Sequence, residues 1–301
     1  MDKPIRNFIS VGLIHFMAFP ETMKGEGPIV ETIGRILRDD YFDAIEITWI
    51  KDEAVRAKVK SMLDQSHIAV GYGAQPRLLT TGLNPNDLDE DGRQRAVRTL
   101  TDGIDEAYEL GAKGFGFLSG KYDAARIGEG LDALEATIRT LSAHAAQKGG
   151  MKIMLEVFDY DVDKCSLIGP TPLAAAFCRR VEDLANFGLM VDLSHVPLMR
   201  ETIDESLVPV ARYVAHAHIG NAVVTPGLPA YGDAHPRFGF PGSANDAREV
   251  AEYLRALMKI GYLKEGEPHI VSFEVKPFGG EDPELVIANA KRALNAAWAM
   301  V

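Results

Sequence analysis

The sequence predicts an α/β fold, a (β/α)8 TIM barrel formed as a single domain over residues 1–301. Three observations predict it. Short apolar, β-branched runs alternate with longer amphipathic stretches eight times, the pattern of parallel strands joined by helices. The runs are almost continuously apolar, as expected when both faces of a parallel sheet are covered. The first strand-to-helix turn also lacks the G-x-G-x-x-G of a doubly wound dinucleotide fold, because Gly12 is followed by Leu13, Ile14 and His15.

The strands are read at 9–15, 44–48, 68–72, 114–118, 153–158, 188–192, 214–218 and 271–275. Helical patterns follow at 53–65, at 93–110 with Gly111 as its C-terminal stop, at 129–148, and at 171–185 with Pro172 in the first turn. Two more cover 246–260, stopping at Gly261, and 283–299, which opens beside Glu281 and Asp282. Two long irregular stretches, 74–92 and 220–245, follow strands and therefore lie on the face where a barrel carries its active site. Loops of that length in a compact domain are usually functional.

Composition narrows the function. With 47% hydrophobic and 25% charged residues the chain is an ordinary globular protein with a core that needs no staples. Cys165 and Cys178 fit neither a redox pair nor a zinc ribbon and are read as reduced thiols. The N-terminus shows no signal-peptide pattern and no apolar stretch approaches bilayer length, so the expected location is the cytoplasm, without membrane association. A net charge of -11 with no Lys/Arg block argues against nucleic acid as a partner.

The chemistry is carried by the ends of the last four strands. They read LEVFD around Glu156, VDLSH around Asp192, HAHIGN around His218, and SFEVKP around Glu274. An ionised carboxylate inside an apolar run is strongly destabilising unless paired or bound to a cation. Three carboxylates and an imidazole at equivalent positions of four parallel strands point into one space and require a counter-charge. A set of hard oxygens with one nitrogen favours Mn²⁺ or Mg²⁺, with Co²⁺ as a third choice, over a thiolate-type zinc site.

On these motifs the chain resembles the xylose-isomerase-like barrels, in particular the sugar isomerase/epimerase branch that includes tagatose/psicose 3-epimerases and hydroxypyruvate isomerases. The resemblance covers the whole barrel. It implies that Glu156, Asp192, His218 and Glu274 bind one divalent cation, Mn²⁺ first, and that Glu156 and Glu274 are the acid/base pair. It further implies that His195 contacts a substrate oxygen and that Glu46, in AIEIT, is a substrate-side glutamate. The reaction expected is removal of a proton beside a carbonyl through a metal-stabilised enediolate, with the proton returned to give epimerisation or isomerisation.

Other residues complete the expected site. His216 shares strand parity with His218 and is read as core or supporting rather than as a ligand. Lys276 shares parity with Glu274 and is a candidate for substrate contact, as are His15 and Trp49 at the ends of the first two strands. Phe16 and Phe158 are further aromatics that a sugar face can stack on. The loop after the seventh strand departs from the epimerase pattern. The sixth residue beyond His218 is Val224, and the first arginine is Arg237, grouped with Asp233 and His235. Two enzymatic readings follow: an isomerase or epimerase of a small ketose or keto-sugar derivative, and the catalytic subunit of a C-glycoside deglycosidase. The second is a lyase that expels the aglycone of a 3-oxo-glycoside and works with a small β-sandwich partner subunit. The family resemblance otherwise implies a homo-oligomer. A non-catalytic sugar-binding protein is the third reading.

Overall fold

The computed structural model describes residues 1–301, and its eight parallel strands close on themselves in sequence order. The strands are β1 (Ile9–Ile14), β2 (Ala44–Ile47), β3 (Ala69–Gly73), β4 (Gly114–Leu118), β5 (Lys152–Glu156), β6 (Phe187–Asp192), β7 (Val214–Gly220) and β8 (His269–Glu274). Closure is made by β1 against β8, with Ile9 opposite His269 and Leu13 opposite Phe273. Nearly every strand residue is buried, because the barrel interior takes one face and the helices take the other.

The outer layer comprises α1 (Ile29–Leu37), α2 (Glu53–Ser66), α3 (Glu90–Glu109), α4 (Ile127–Lys148), α5 (Thr171–Arg180), α6 (Ile203–Leu207), α7 (Ala247–Lys259) and α8 (Pro283–Met300). α3 shows why these segments are helical. Asp89 accepts a hydrogen bond from the Gly92 amide at 3.0 Å, closing the N-terminus. Ala96, Leu100, Ile104 and Ala107 then recur at helical spacing and are fully buried. Truncating Leu100 to alanine would leave a cavity and cost about 2–5 kcal/mol. α7 is started by a reciprocal box in which Asp246 and Glu249 each accept from the other's backbone amide. No helix is long and apolar enough to cross a membrane.

The expected strands all form, with ends displaced by one or two residues, and three differences matter. β1 stops at Ile14, and the chain turns into a short helix over His15–Ala18, so His15 does not continue the strand. The stretch from 74 opens with another short helix, Gln75–Leu79, with Pro76 in its first turn. The helix read to 185 ends at Arg180, since β6 starts at Phe187 and the chain needs the intervening turn. α1 is a helix beyond the expected ones, and its Ile29, Ile33 and Ile36 are buried in the core.

Candidate metal and active site

All strands run parallel, so their C-terminal ends share one rim, and β5 to β8 each deliver one ligand-type atom there. Glu156, Asp192, His218 and Glu274 bring a carboxylate oxygen or ring nitrogen to within 4.8 Å of one another, and all four are buried. Parallel register explains the convergence: Asp192 stands opposite His218 across β6 and β7, and Glu274 opposite Gly220 across β7 and β8.

The atoms that face the shared space are unpartnered. Glu156 Oε1, Asp192 Oδ2, His218 Nδ1 and Glu274 Oε2 are buried without a hydrogen bond. His218 Nδ1 lies 2.8 Å from Glu274 Oε2 and 3.6 Å from Glu156 Oε1. Buried polar atoms are normally satisfied, and four orphans pointing at one volume are the mark of a cation site. Burial and the neighbouring Glu156 push the Glu274 carboxyl up to about 7, against the pull of His235 and His218. The donor set, three carboxylate oxygens and one imidazole nitrogen, fits a divalent cation of the Mn²⁺ or Mg²⁺ type.

Each ligand is held from behind. Gln75 Nε2 donates to Glu156 Oε2 at 2.6 Å, leaving Oε1 for the centre. Asp192 Oδ1 accepts from the Ser194 amide at 2.6 Å, leaving Oδ2. His218 Nε2–H points at both oxygens of Glu46, 3.2 Å from each, and so Nδ1 is turned to the centre. Glu46 is fixed in turn by His216 Nε2 at 2.7 Å. Burial opposes a charged Glu46, but the two imidazoles hold its carboxyl well below the usual range. This is the carboxylate–histidine arrangement that orients metal-binding histidines. Gly71 is the register partner of Glu46 on β3, and a Cβ there would come within 2.9 Å of Glu46 Cγ. The glycine makes room for the carboxylate.

A cavity of about 130 Å³ opens above the quartet. His218, Glu274, Glu46, His235 and Lys276 line it, with Phe158, Phe16 and Met17 as apolar wall. Four of the seven residues expected to bind substrate occupy other positions. His15 is buried with Nε2 2.7 Å from Thr32 Oγ1, on the side of α1, and burial lowers its pKa to about 3. Trp49 donates its indole N–H to the Met23 carbonyl at 2.9 Å. Arg237 turns outward to Glu281 at 2.9 Å. His195 is fully buried just behind the wall, where Nδ1–H donates to the Val157 carbonyl at 2.8 Å.

The sequence assigns no role to Lys164 or Gln75, and groups Asp233 only with His235 and Arg237. Asp233 Oδ1 lies 2.8 Å from His235 Nε2 and 3.2 Å from His195 Nε2, while Oδ2 pairs with Lys164 at 2.8 Å. Burial disfavours charge on all of them, yet the pairing outweighs it. Asp233 is held well below the usual range, His195 rises to about 10, and His235 to about 9. His235 is also in the left-handed region at φ 48°, which costs of order 1 kcal/mol or more for a non-glycine residue.

Lys164 is presented by a loop wound around one carboxylate. The buried Asp159 side chain accepts from the amides of Val162, Asp163 and Lys164 at 2.8, 2.7 and 2.8 Å. The only sequence signal is an aspartate at the head of a short loop, the pattern of side chain–backbone turns.

Solved structures share this architecture. A D-tagatose 3-epimerase-like protein superposes with TM-score 0.72 at 19% identity, covering 97% of this chain and 99% of that one. A D-allulose 3-epimerase from Methylomonas sp. gives 0.69 at 20% identity, covering 99% and 100%. A 3-keto-D-glucoside 4-epimerase from E. coli gives 0.65 at 16% identity, covering 97% and 99%. At these identities the likeness is one of fold. No curated protein matches the sequence. Residues 35–297 match the family described as xylose isomerase-like TIM barrel. The chain belongs to that family.

Proposed function

We propose that the protein is a divalent-metal-dependent sugar isomerase or epimerase that moves a proton beside a carbonyl, with Glu156 and Glu274 as the acid/base pair. One observation carries the proposal: four unpartnered, buried ligand-type atoms converge at the ends of β5 to β8 beside a cavity on the barrel rim. Glu156, Asp192, His218 and Glu274 would hold the cation, Mn²⁺ before Mg²⁺ or Co²⁺. When bound, it supplies the positive charge that stabilises negative charge developing on a substrate oxygen.

The rest falls to the protein. Glu274 and Glu156 enter from strands three places apart in the ring, and the reaction calls on one carboxylate at each side of the bound carbon. One removes the proton and the other returns it, to the same carbon for epimerisation or, by a single carboxylate, to its neighbour for isomerisation. Phe16, Met17 and Phe158 exclude water from the reacting face. The named activities of the ketose 3-epimerases and the keto-glucoside epimerase that share the fold support this class of chemistry.

A second reading is favoured by one observation. No arginine lines the cavity, whose basic side chains are Lys164, Lys276, His218 and His235. That suits a different substrate from a simple ketose, including a 3-oxo-C-glycoside cleaved by a lyase with a small β-sandwich partner subunit. The test is deuterium incorporation by NMR. Metal-loaded protein in heavy water is given ketoses, 3-oxo-sugars and 3-oxo-C-glycosides, beside Glu274→Gln. Exchange on at least one compound that Glu274→Gln abolishes supports proton transfer. Equal exchange in the variant would remove Glu274 from the chemistry, and aglycone release would select the lyase.

A further inference from the structure

We infer that the substrate carries a second, hydroxylated ring, and that this ring sits in a preformed chamber beside the catalytic cavity. The inference rests on the sugar reading above and names the substrate class of that site.

The catalytic cavity is small. At about 130 Å³ it falls below the roughly 300–1,000 Å³ usual for small-molecule sites. Next to it lies a chamber of about 580 Å³, and the two share Leu79 and Lys164 as common wall. Every lining residue of the chamber comes from the end of β4 or from the segments after β3, β4 and β5. It therefore opens on the same rim as the quartet. Lys164 stands at the threshold, with Nζ held between Asp163 at 3.0 Å and Asp233 at 2.8 Å.

The chamber is built rather than left over. Asn84 and Asn86 both donate to the Lys121 carbonyl at 2.9 Å, and the Leu167 amide donates to the Gly120 carbonyl at 2.9 Å. The Ile168 amide is tied to Ser119 Oγ at 2.8 Å. These bonds lock the loops after β3, β4 and β5 together without a ligand. The lining itself is two-sided. Leu78, Leu83 and Leu118 supply an apolar surface, and Asn84, Asp87, Lys121 and Lys164 supply a polar one. A ring with hydroxyl groups satisfies both sides, covering the leucines and meeting the polar side chains opposite. A purely aliphatic group desolvates those polar side chains without partners, and a lone keto-sugar leaves the chamber empty. The shared chemistry is a hydroxylated ring, supplied by a second sugar residue or by a phenol.

Calorimetry on the Mn²⁺-loaded protein tests this with three probes: a free keto-hexose, a disaccharide that carries it, and its hydroxyphenyl glycoside. At least one extended probe is expected to bind tenfold or more tightly than the free sugar. Leu83→Trp fills the chamber from a residue that does not line the catalytic cavity. It should erase that gain while leaving the free sugar's affinity within twofold. Leu83→Ala should keep the gain, which separates filling from damage. Which extended probe responds identifies the source of the ring. Extended probes no tighter than the free sugar, or a gain that survives Leu83→Trp, would overturn the inference. Deuterium exchange is followed on the same samples. A gain that Leu83→Trp erases, in protein that exchanges no proton, would uphold the chamber and refute the proton chemistry alone.

Discussion

At the scale of single residues, the candidate centre is a contest for His218 Nδ1 and the carboxylates around it. Burial opposes charge on His218, but Glu46 and the two glutamates at the centre hold its pKa well above the ordinary range. Protons thus occupy the positions a cation needs, and Glu274 holds one up to about pH 7. Cation binding must release them, so apparent affinity should rise with pH through neutrality and level off once the ligands are deprotonated. Titration calorimetry in buffers of different ionisation enthalpy reads the released protons directly, and a pH-independent affinity would contradict the ligand set. Glu46→Gln should weaken metal binding by about 10–100-fold without removing a ligand, as measured by metal content after dialysis against graded free Mn²⁺. His15→Asn is the contrasting case. It should cost of order 1 kcal/mol in denaturant unfolding through the Thr32 contact, with metal affinity unchanged.

Elements explain which of these residues the sequence disclosed. Glu156, Asp192 and Glu274 are legible because each interrupts an apolar strand, and strand ends in a parallel barrel point to one place whatever the loops do. His15 lies one residue past the end of β1, where a short helix begins and swings its ring toward α1, a turn that an apolar run does not announce. The supporting part of Glu46 was hidden for another reason. Its partners, His216 and His218, are separated from it by about 170 residues and meet it only when the barrel closes. Lys164 and Asp233 lie on loops with no periodicity to read, and only the Asp159 turn sets the position of the lysine. Asp159→Ala should therefore release that loop, with a loss of about 1.5–3 kcal/mol for hydrogen bonds to a charged acceptor. Hydrogen exchange at the Val162, Asp163 and Lys164 amides is the readout. Unchanged protection there would show that the turn stands without its carboxylate.

For the whole molecule, the consequence of a charged core is that folding and cation binding are linked. Three carboxylates gathered in the barrel repel one another, and any ion that binds only the folded chain stabilises it. At a free concentration a hundred times Kd, the gain is about 2.7 kcal/mol. For a domain of this size that corresponds to a rise in Tm of at least several degrees. Differential scanning calorimetry with Mn²⁺ and then with chelator should show the rise and its reversal, and an indifferent Tm would argue against a cation at the quartet. The barrel itself was readable from the eight alternations, since strand count and parallel order are properties of the pattern. The chamber was not, because it arises between three loops whose separate sequences say only that each is long or polar.

Gly71 bears on how this barrel can be altered. Positions 46 and 71 are neighbours in register but belong to different strands, and the missing side chain of one is the working space of the other. They form a single inheritable unit. A lineage or a designer that adds a methyl group at 71 must shorten the acid at 46 at the same step, or lose the orientation of the imidazole beyond it. A double-mutant cycle of Gly71→Ala with Glu46→Asp should therefore be strongly non-additive in metal affinity, with the pair milder than Gly71→Ala alone.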